Sequence, residues 1–170
     1  MVFFGLELMK DACSIIKDMP KFMAWFGHFQ ANDYPGVLKC ALAGCVLTTL
    51  VQSSSATLLI TIALTTQGVI SFETAAALVL GENIGTTITE ILASLGATTN
   101  ARHAAYFHLI FNVAGVFWIT LIFDWYIELI QTIIQMDVNQ IVMVDGTETF
   151  PNRKAAIAAT HSVFNIANTL

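Results

Sequence analysis

This sequence has very little charge. Of its 170 residues only 7 are lysine or arginine and 12 are aspartate or glutamate, together 11% of the chain. Soluble globular proteins average roughly 25%. With a formal net charge of −5 there is no basic surface to neutralise phosphodiesters, so nucleic acid is excluded as a partner. A hydrophobic content of 56% excludes an intrinsically disordered chain and argues against a soluble enzyme domain. Cysteine is scarce as well. Cys13, Cys40 and Cys45 form no CxxC pair and are too few for a disulfide framework or a zinc centre. Cys40 and Cys45 sit in an apolar run, where cysteine usually acts as a small buried hydrophobe. GxSxG, HExxH and the Walker A loop are all missing. Ser54 and His108, imagined as an intramembrane nucleophile and base, would lack an orienting acid, so the chain is expected not to be an enzyme. Lys10 and Asp11 interrupt the first apolar stretch and no basic region precedes it, so no cleavable signal peptide is expected. The composition is that of a chain embedded in a lipid bilayer.

The long uncharged stretches carry the organisation. None of the residues between Arg102 and Asp124 is Asp, Glu, Lys or Arg, with His103 at the edge. Ala104 to Phe123 fits one membrane-spanning helix of ~20 residues, with Trp118 and Trp125 toward its far end as an interfacial belt would have them. The other uncharged stretch, between Lys39 and Glu73, is too long for one crossing. As a single helix it would run ~50 Å at ~1.5 Å per residue, against a hydrocarbon core of ~30 Å. Its centre is also polar: Gln52-Ser53-Ser54-Ser55, with Thr48, Thr49 and Thr57 nearby, lies between the apolar arms Val37–Val51 and Ala56–Ile70. The pattern predicts a hairpin or broken helix over 36–72 whose polar tip lies inside the membrane, where irregular backbone is tolerated only against protein or a water-filled cavity.

A second interruption follows at Gly81-Glu82-Asn83-Ile84-Gly85-Thr86-Thr87. Two glycines permit unwinding or close backbone approach, so a broken helix is expected over 73–96. Paired broken hydrophobic segments point to the substrate site of secondary transporters. The expected fold class is therefore all-α: a polytopic transmembrane helical protein with re-entrant or broken helices, a single transmembrane domain over 1–170. Its remaining parts are an amphipathic helix over 2–19, a mixed connection over 20–39, a spanning helix and extension over 103–136, a polar loop over 137–154 and a helix over 155–170. That last helix is still apolar where the sequence stops, which predicts a fragment of a longer protein. Lysine and arginine are too scattered for the positive-inside rule to give an orientation.

Each polar group has a bland reading beside its functional one. Isolated serines pack and back-bond in membrane helices, but four consecutive polar side chains exceed what packing needs. Their oxygens suit a small cation, and the N–H groups of an arm's N-terminus suit an oxyanion. Asn83 and Thr87 are natural ligands, whereas Glu82 is as well read as a cap or a water-facing group. Glu90 is an ionisable group in an otherwise apolar helix and a functional candidate by default. His108 and Asn112 recur as His161 and Asn165 in a shared HxxFN[VI]A pattern. Each pair lies on one helix face, and interhelical hydrogen bonding is the preferred reading for both.

Val51-Gln52-Ser53-Ser54-Ser55-Ala56-Thr57 followed by Leu80-Gly81-Glu82-Asn83-Ile84-Gly85-Thr86-Thr87-Ile88-Thr89 resembles the sodium/phosphate cotransporter family in its bacterial branch. Leu95-Gly96-Ala97, Arg102, His108-x-x-Phe111-Asn112 and the opening Phe4-Gly5-Leu6-x-Leu8-Met9 are similar too. The resemblance implies two inverted repeats, each with a QSSS hairpin, enclosing one site for sodium and inorganic phosphate. This sequence has one QSSS, so it corresponds to one repeat of an inverted-repeat transporter. A second repeat, in the same polypeptide or from a homodimer partner, would complete it. By resemblance Gln52, Ser53, Ser54, Ser55 and Thr57 line the ion and phosphate site, and Asn83, Thr86 and Thr87 lie on the facing helix. Sodium, the coupling ion, falls to Gln52, Ser53, Ser54, Ser55, Asn83 and Thr87, with no other cofactor. Glu82, Glu90, His108 and Asn112 are secondary candidates. A PhoU-like domain often accompanies bacterial members, and the implied location is the bacterial inner membrane, multi-pass. The implied function is sodium-coupled phosphate symport by alternating access. The alternatives are transport of another small anion on the same scaffold and a non-transporting membrane subunit in phosphate regulation.

Overall fold

A computed structural model describes residues 29–144 and 146–169. The expected helix over 2–19, the Phe4–Met9 opening and the first part of the 20–39 connection lie outside the described residues. The order is α1 (Tyr34–Val51), α2 (Ser54–Thr66), α3 (Phe72–Ser94), α4 (Thr99–Leu121), α5 (Phe123–Ile134), β1 (Val142–Val144), β2 (Thr147–Thr149) and α6 (Arg153–Thr169). Two of the helices, α1 and α4, are long and apolar enough to cross a membrane.

Short polar side chains start the helices. Asp33 caps α1, its Oδ1 accepting the Gly36 N–H at 2.9 Å, with Pro35 in the first turn, where a missing N–H costs nothing. Ser71 caps α3 by accepting from Thr74 N–H at 3.1 Å, and Thr98 caps α4 through Ala101 N–H. α2 ends in a Schellman motif: Val69 N–H bonds Leu64 O at 2.9 Å and Gly68 N–H bonds Thr65 O at 3.1 Å, with Gly68 at φ 70°. Glycine holds that left-handed position without a Cβ penalty.

The core centres on α3. Ala75, Ala76, Ala77, Val79 and Leu80 are fully buried, because α1, α2, α4 and α6 all pack on this helix. Ala31 N–H bonds Thr74 Oγ1 near the starts of α1 and α3, while Gly85 meets Cys45 and Thr48 near the end of α1. The two helices therefore run parallel. Their backbones nearly touch: a Cβ on Gly44 would strike the Leu78 carbonyl, and one on Gly81 the Ala41 carbonyl. Cys40 and Cys45 are buried beside this contact as small apolar groups.

This packing corrects the expectation of a broken helix over 73–96. α3 is one continuous helix through Gly81–Thr87. The glycines serve close approach, not unwinding. Three of the polar side chains bond within the helix: Thr86 donates to Glu82 O, Thr87 to Ile84 O and Asn83 Nδ2 to Val79 O, all within 2.9 Å. The 36–72 segment is broken as expected, at Gln52-Ser53 between α1 and α2. The spanning segment and its extension are α4 and α5, divided at Ile122.

The expected polar loop over 137–154 contains an exposed antiparallel hairpin instead, pairing Val142 with Thr149 and Val144 with Thr147. From its far end Arg153 reaches inward. Its Nη1 donates to the carbonyls of Thr65 and Ile70 at 3.1 and 3.2 Å, its Nε to Val138 O and its Nη2 to Asn139 Oδ1. The guanidinium also lies 3.8 Å over the Phe150 ring. One buried cation thus ties the α2–α3 turn to α6. Tyr126 Oη, donating to Thr160 O at 2.6 Å, ties α5 to α6.

Gly81→Ala forces α1 and α3 apart at a backbone contact. It should cost about 1–3 kcal/mol as an overpacking change, read as a lowered thermal midpoint of the purified protein in detergent. Gly96→Ala, where an added Cβ meets nothing within 4 Å, should leave that midpoint unchanged.

Candidate functional site

The break between α1 and α2 has a defined backbone. Gln52 closes α1 with its N–H on Thr48 O at 2.8 Å and adopts φ 56°, ψ 27°. This left-handed conformation costs an L-residue other than glycine roughly 1–2 kcal/mol. Ser53 is extended and caps α2: its Oγ accepts from Ala56 N–H at 3.3 Å, and its carbonyl accepts both the N–H and the Oγ1–H of Thr57. Ser54 and Ser55 form the first turn of α2, where amides have no partner inside the helix and the dipole favours negative charge. Gln52, Ser53 and Ser55 are exposed and Ser54 is half-buried. The tip is thus an open cluster of hydroxyls, a carboxamide and helix-start amides.

Behind the tip the polar groups turn inward. Thr57, Thr61 and Thr65 follow the i, i+4, i+8 spacing along one face of α2, and all three are buried. Thr61 Oγ1 donates to Glu82 Oε1 at 2.8 Å, joining α2 to the middle of α3. Glu82 is only 2% exposed, which corrects its reading as a cap or a water-facing group. Burial follows from its position on the central helix, two residues after Leu80. Thr48, on the last turn of α1, is also buried and packs on Gly85. Its Oγ1 has no hydrogen-bond partner among the described residues.

Asn83 and Thr87 are buried and Thr86 is half-buried. Their hydrogen bonds stay within α3, and none joins the tip among the described residues. Glu90 pairs with His108 of α4, Oε2 to Nδ1 at 2.7 Å, and both side chains are partly exposed. Asn112 accepts from Asn168 Nδ2 of α6 at 3.1 Å. Interhelical bonding therefore holds for His108 and Asn112. It fails for the echo pair, because Asn165 bonds His161 along its own helix. Thr61 escaped the sequence reading although the four-residue threonine spacing signalled it. Arg153 escaped too, since nothing local distinguishes it from a loop cation. Among the described residues no group of three or more His, Cys, Asp or Glu is placed to hold a metal ion.

Comparison with known proteins bears on what such a tip serves. Residues 1–138 match the family described as Na+/Pi-cotransporter. The chain is 38% identical over 103 residues to the sodium-dependent phosphate transport protein 2C of Homo sapiens, covering 58% of this chain and 16% of that protein. It is 37% identical over 124 residues to the human sodium-dependent phosphate transport protein 2B, covering 66% of this chain and 16% of that protein. It is 41% identical over 75 residues to the protein YqeW of Bacillus subtilis (strain 168), covering 44% of this chain and 24% of that protein. The aligned part thus spans about a quarter or less of each of these relatives. No solved structure matches the chain.

The left-handed Gln52 gives a structural test of the tip. Gln52→Gly should hold or raise the thermal midpoint, because glycine adopts φ near 56° without strain. Gln52→Val, β-branched at a position with positive φ, should lower it.

Proposed function

The chain belongs to the Na+/Pi-cotransporter family, and from that premise we propose that it forms one repeat of a sodium-coupled inorganic phosphate symporter. It works with a second repeat, supplied by the same polypeptide or by a homodimer partner, as a multi-pass protein of the bacterial inner membrane. The observation that carries this reading is the break at Gln52-Ser53, which leaves the serine-rich start of α2 open. At ~1.5 Å per residue α2 is about 20 Å long, short of a ~30 Å hydrocarbon core. With its Schellman end at one face of the bilayer, its serine end lies at depth.

Phosphate oxygens meet the first-turn amides of Ser54 and Ser55 and the hydroxyls around them. A helix start favours an anion through both its free N–H groups and its dipole. Sodium is held by neutral hard oxygens from Gln52, Ser53, Ser54 and Ser55, with Asn83, Thr86, Thr87 and Thr57 behind them. Its charge offsets that of phosphate and lets a hydrophilic anion occupy the membrane interior. Alternating access follows when one helical bundle rocks about the fixed site. Glu90–His108 and Asn112–Asn168 join the helices of the bundle and are not ligands. A PhoU-like domain elsewhere in the polypeptide would be a regulatory partner.

The test is radiolabelled phosphate uptake by the full-length protein in proteoliposomes. Gln52→Ala and Ser54→Ala should each lower sodium-dependent uptake at least tenfold at unchanged expression. Wild-type rates in both variants would show that the site lies elsewhere. Competition by sulfate or small carboxylates as strong as by phosphate would favour a different anion. Absence of sodium-stimulated flux in the intact protein would favour a non-transporting subunit.

A further inference from the structure

We propose that Glu82 holds a buried monovalent cation between α2 and α3, separate from the open serine tip, and that this cation fixes the position of α2. The proposal rests on the reading of α2 as the phosphate-binding helix. It starts from a side chain that no charge of opposite sign pairs with among the described residues. Glu82 lies mid-helix in the core and is 2% exposed. Among the described residues its one hydrogen-bonded partner is the neutral Thr61 hydroxyl at 2.8 Å. An ionised carboxylate can accept about four hydrogen bonds, and a buried charge is ordinarily paired. Among the described residues the one ion pair joins His108 to Glu90, and Arg153 is spent on carbonyls of the α2–α3 turn and of residue 138.

The oxygens on this face are of the kind a cation takes. Thr57 and Thr65, one turn either side of Thr61 on α2, give their hydroxyl hydrogens to the carbonyls of Ser53 and Ile70, and a hydroxyl that donates keeps its oxygen as an acceptor. Thr48 Oγ1, buried and without a partner among the described residues, belongs to a side chain packed on Gly85, three residues along α3 from Glu82. Hard oxygens with a single carboxylate fit a monovalent ion. Calcium sites gather six to eight oxygens with several carboxylates, and magnesium demands near-octahedral geometry. Thr61 sits about two turns from Ser53–Ser55 on the same helix, so a cation at Glu82 clamps the helix whose first turn faces the anion. Loss of the cation releases α2 from α3.

The experiment uses the full-length protein, with sodium chloride titrated against choline chloride. Two readouts are taken: phosphate uptake in proteoliposomes and the sodium-induced rise in thermal midpoint in detergent. Glu82→Gln retains shape and an acceptor for Thr61 but removes the charge. It should raise the half-saturating sodium concentration at least tenfold, with the phosphate half-saturation at the highest sodium changing less than twofold. Thr61→Val should raise the sodium requirement at least threefold, and Thr61→Ser should restore it. A Glu82→Gln protein that responds to sodium like wild type, in either readout, overturns the proposal. If Glu82→Gln does not fold, the Thr61 pair decides: equal sodium curves for Val and Ser overturn it. Wild-type protein without sodium-driven uptake defeats the transport reading alone, because the thermal response still reports the cation.

Discussion

Close backbone contact between α1 and α3 is the constraint on which the rest depends. Gly44 against Leu78 and Gly81 against Ala41 allow no side-chain atom between the two helices. In a bilayer, helices gain little from hiding apolar side chains from lipid, so van der Waals contact at small residues drives their association. Once α1 and α3 are locked in parallel, α2 must return between their ends. Its buried threonine face meets α3 at Glu82, and the chain has to break at Gln52-Ser53 to make that return. The strained, open tip is therefore a product of helix packing two turns away.

Much of this was legible in the sequence. An uncharged stretch too long for one crossing, with a polar centre, predicts two helices and a break at Gln52–Ser55, and the break is there. The uncharged stretch from Ala104 predicts α4, and Ile122 separates it from α5. The glycines at 81 and 85 were legible as special but ambiguous. Glycine permits both unwinding and close approach, and only the partner helix decides between them. Here the small residues of α1 supply that partner, so α3 stays continuous.

The candidate site divides the same way. The exposed tip consists of neighbours in sequence and is visible as a motif. The buried layer behind it does not. Thr61 and Glu82 meet only because α2 turns back on α3, and Thr48 is buried because α1 packs on Gly85. An acidic residue between glycines is equally compatible with a loop facing water, and local composition cannot register that four other helices pack on the helix that carries it. Arg153 is the extreme case: its partners lie more than eighty residues away in sequence at Thr65 and Ile70.

That guanidinium also bears on where a working unit of this protein begins and ends. The family match stops at residue 138, yet the carbonyls at the base of the α2–α3 turn find their donor at residue 153. A boundary drawn from similarity alone would cut through a hydrogen-bonded unit and leave the floor of the hairpin unsealed. A segment beyond the family match is thus a fastener for the part that lies within it. Transplanting the hairpin into another scaffold would require carrying α6 along with it.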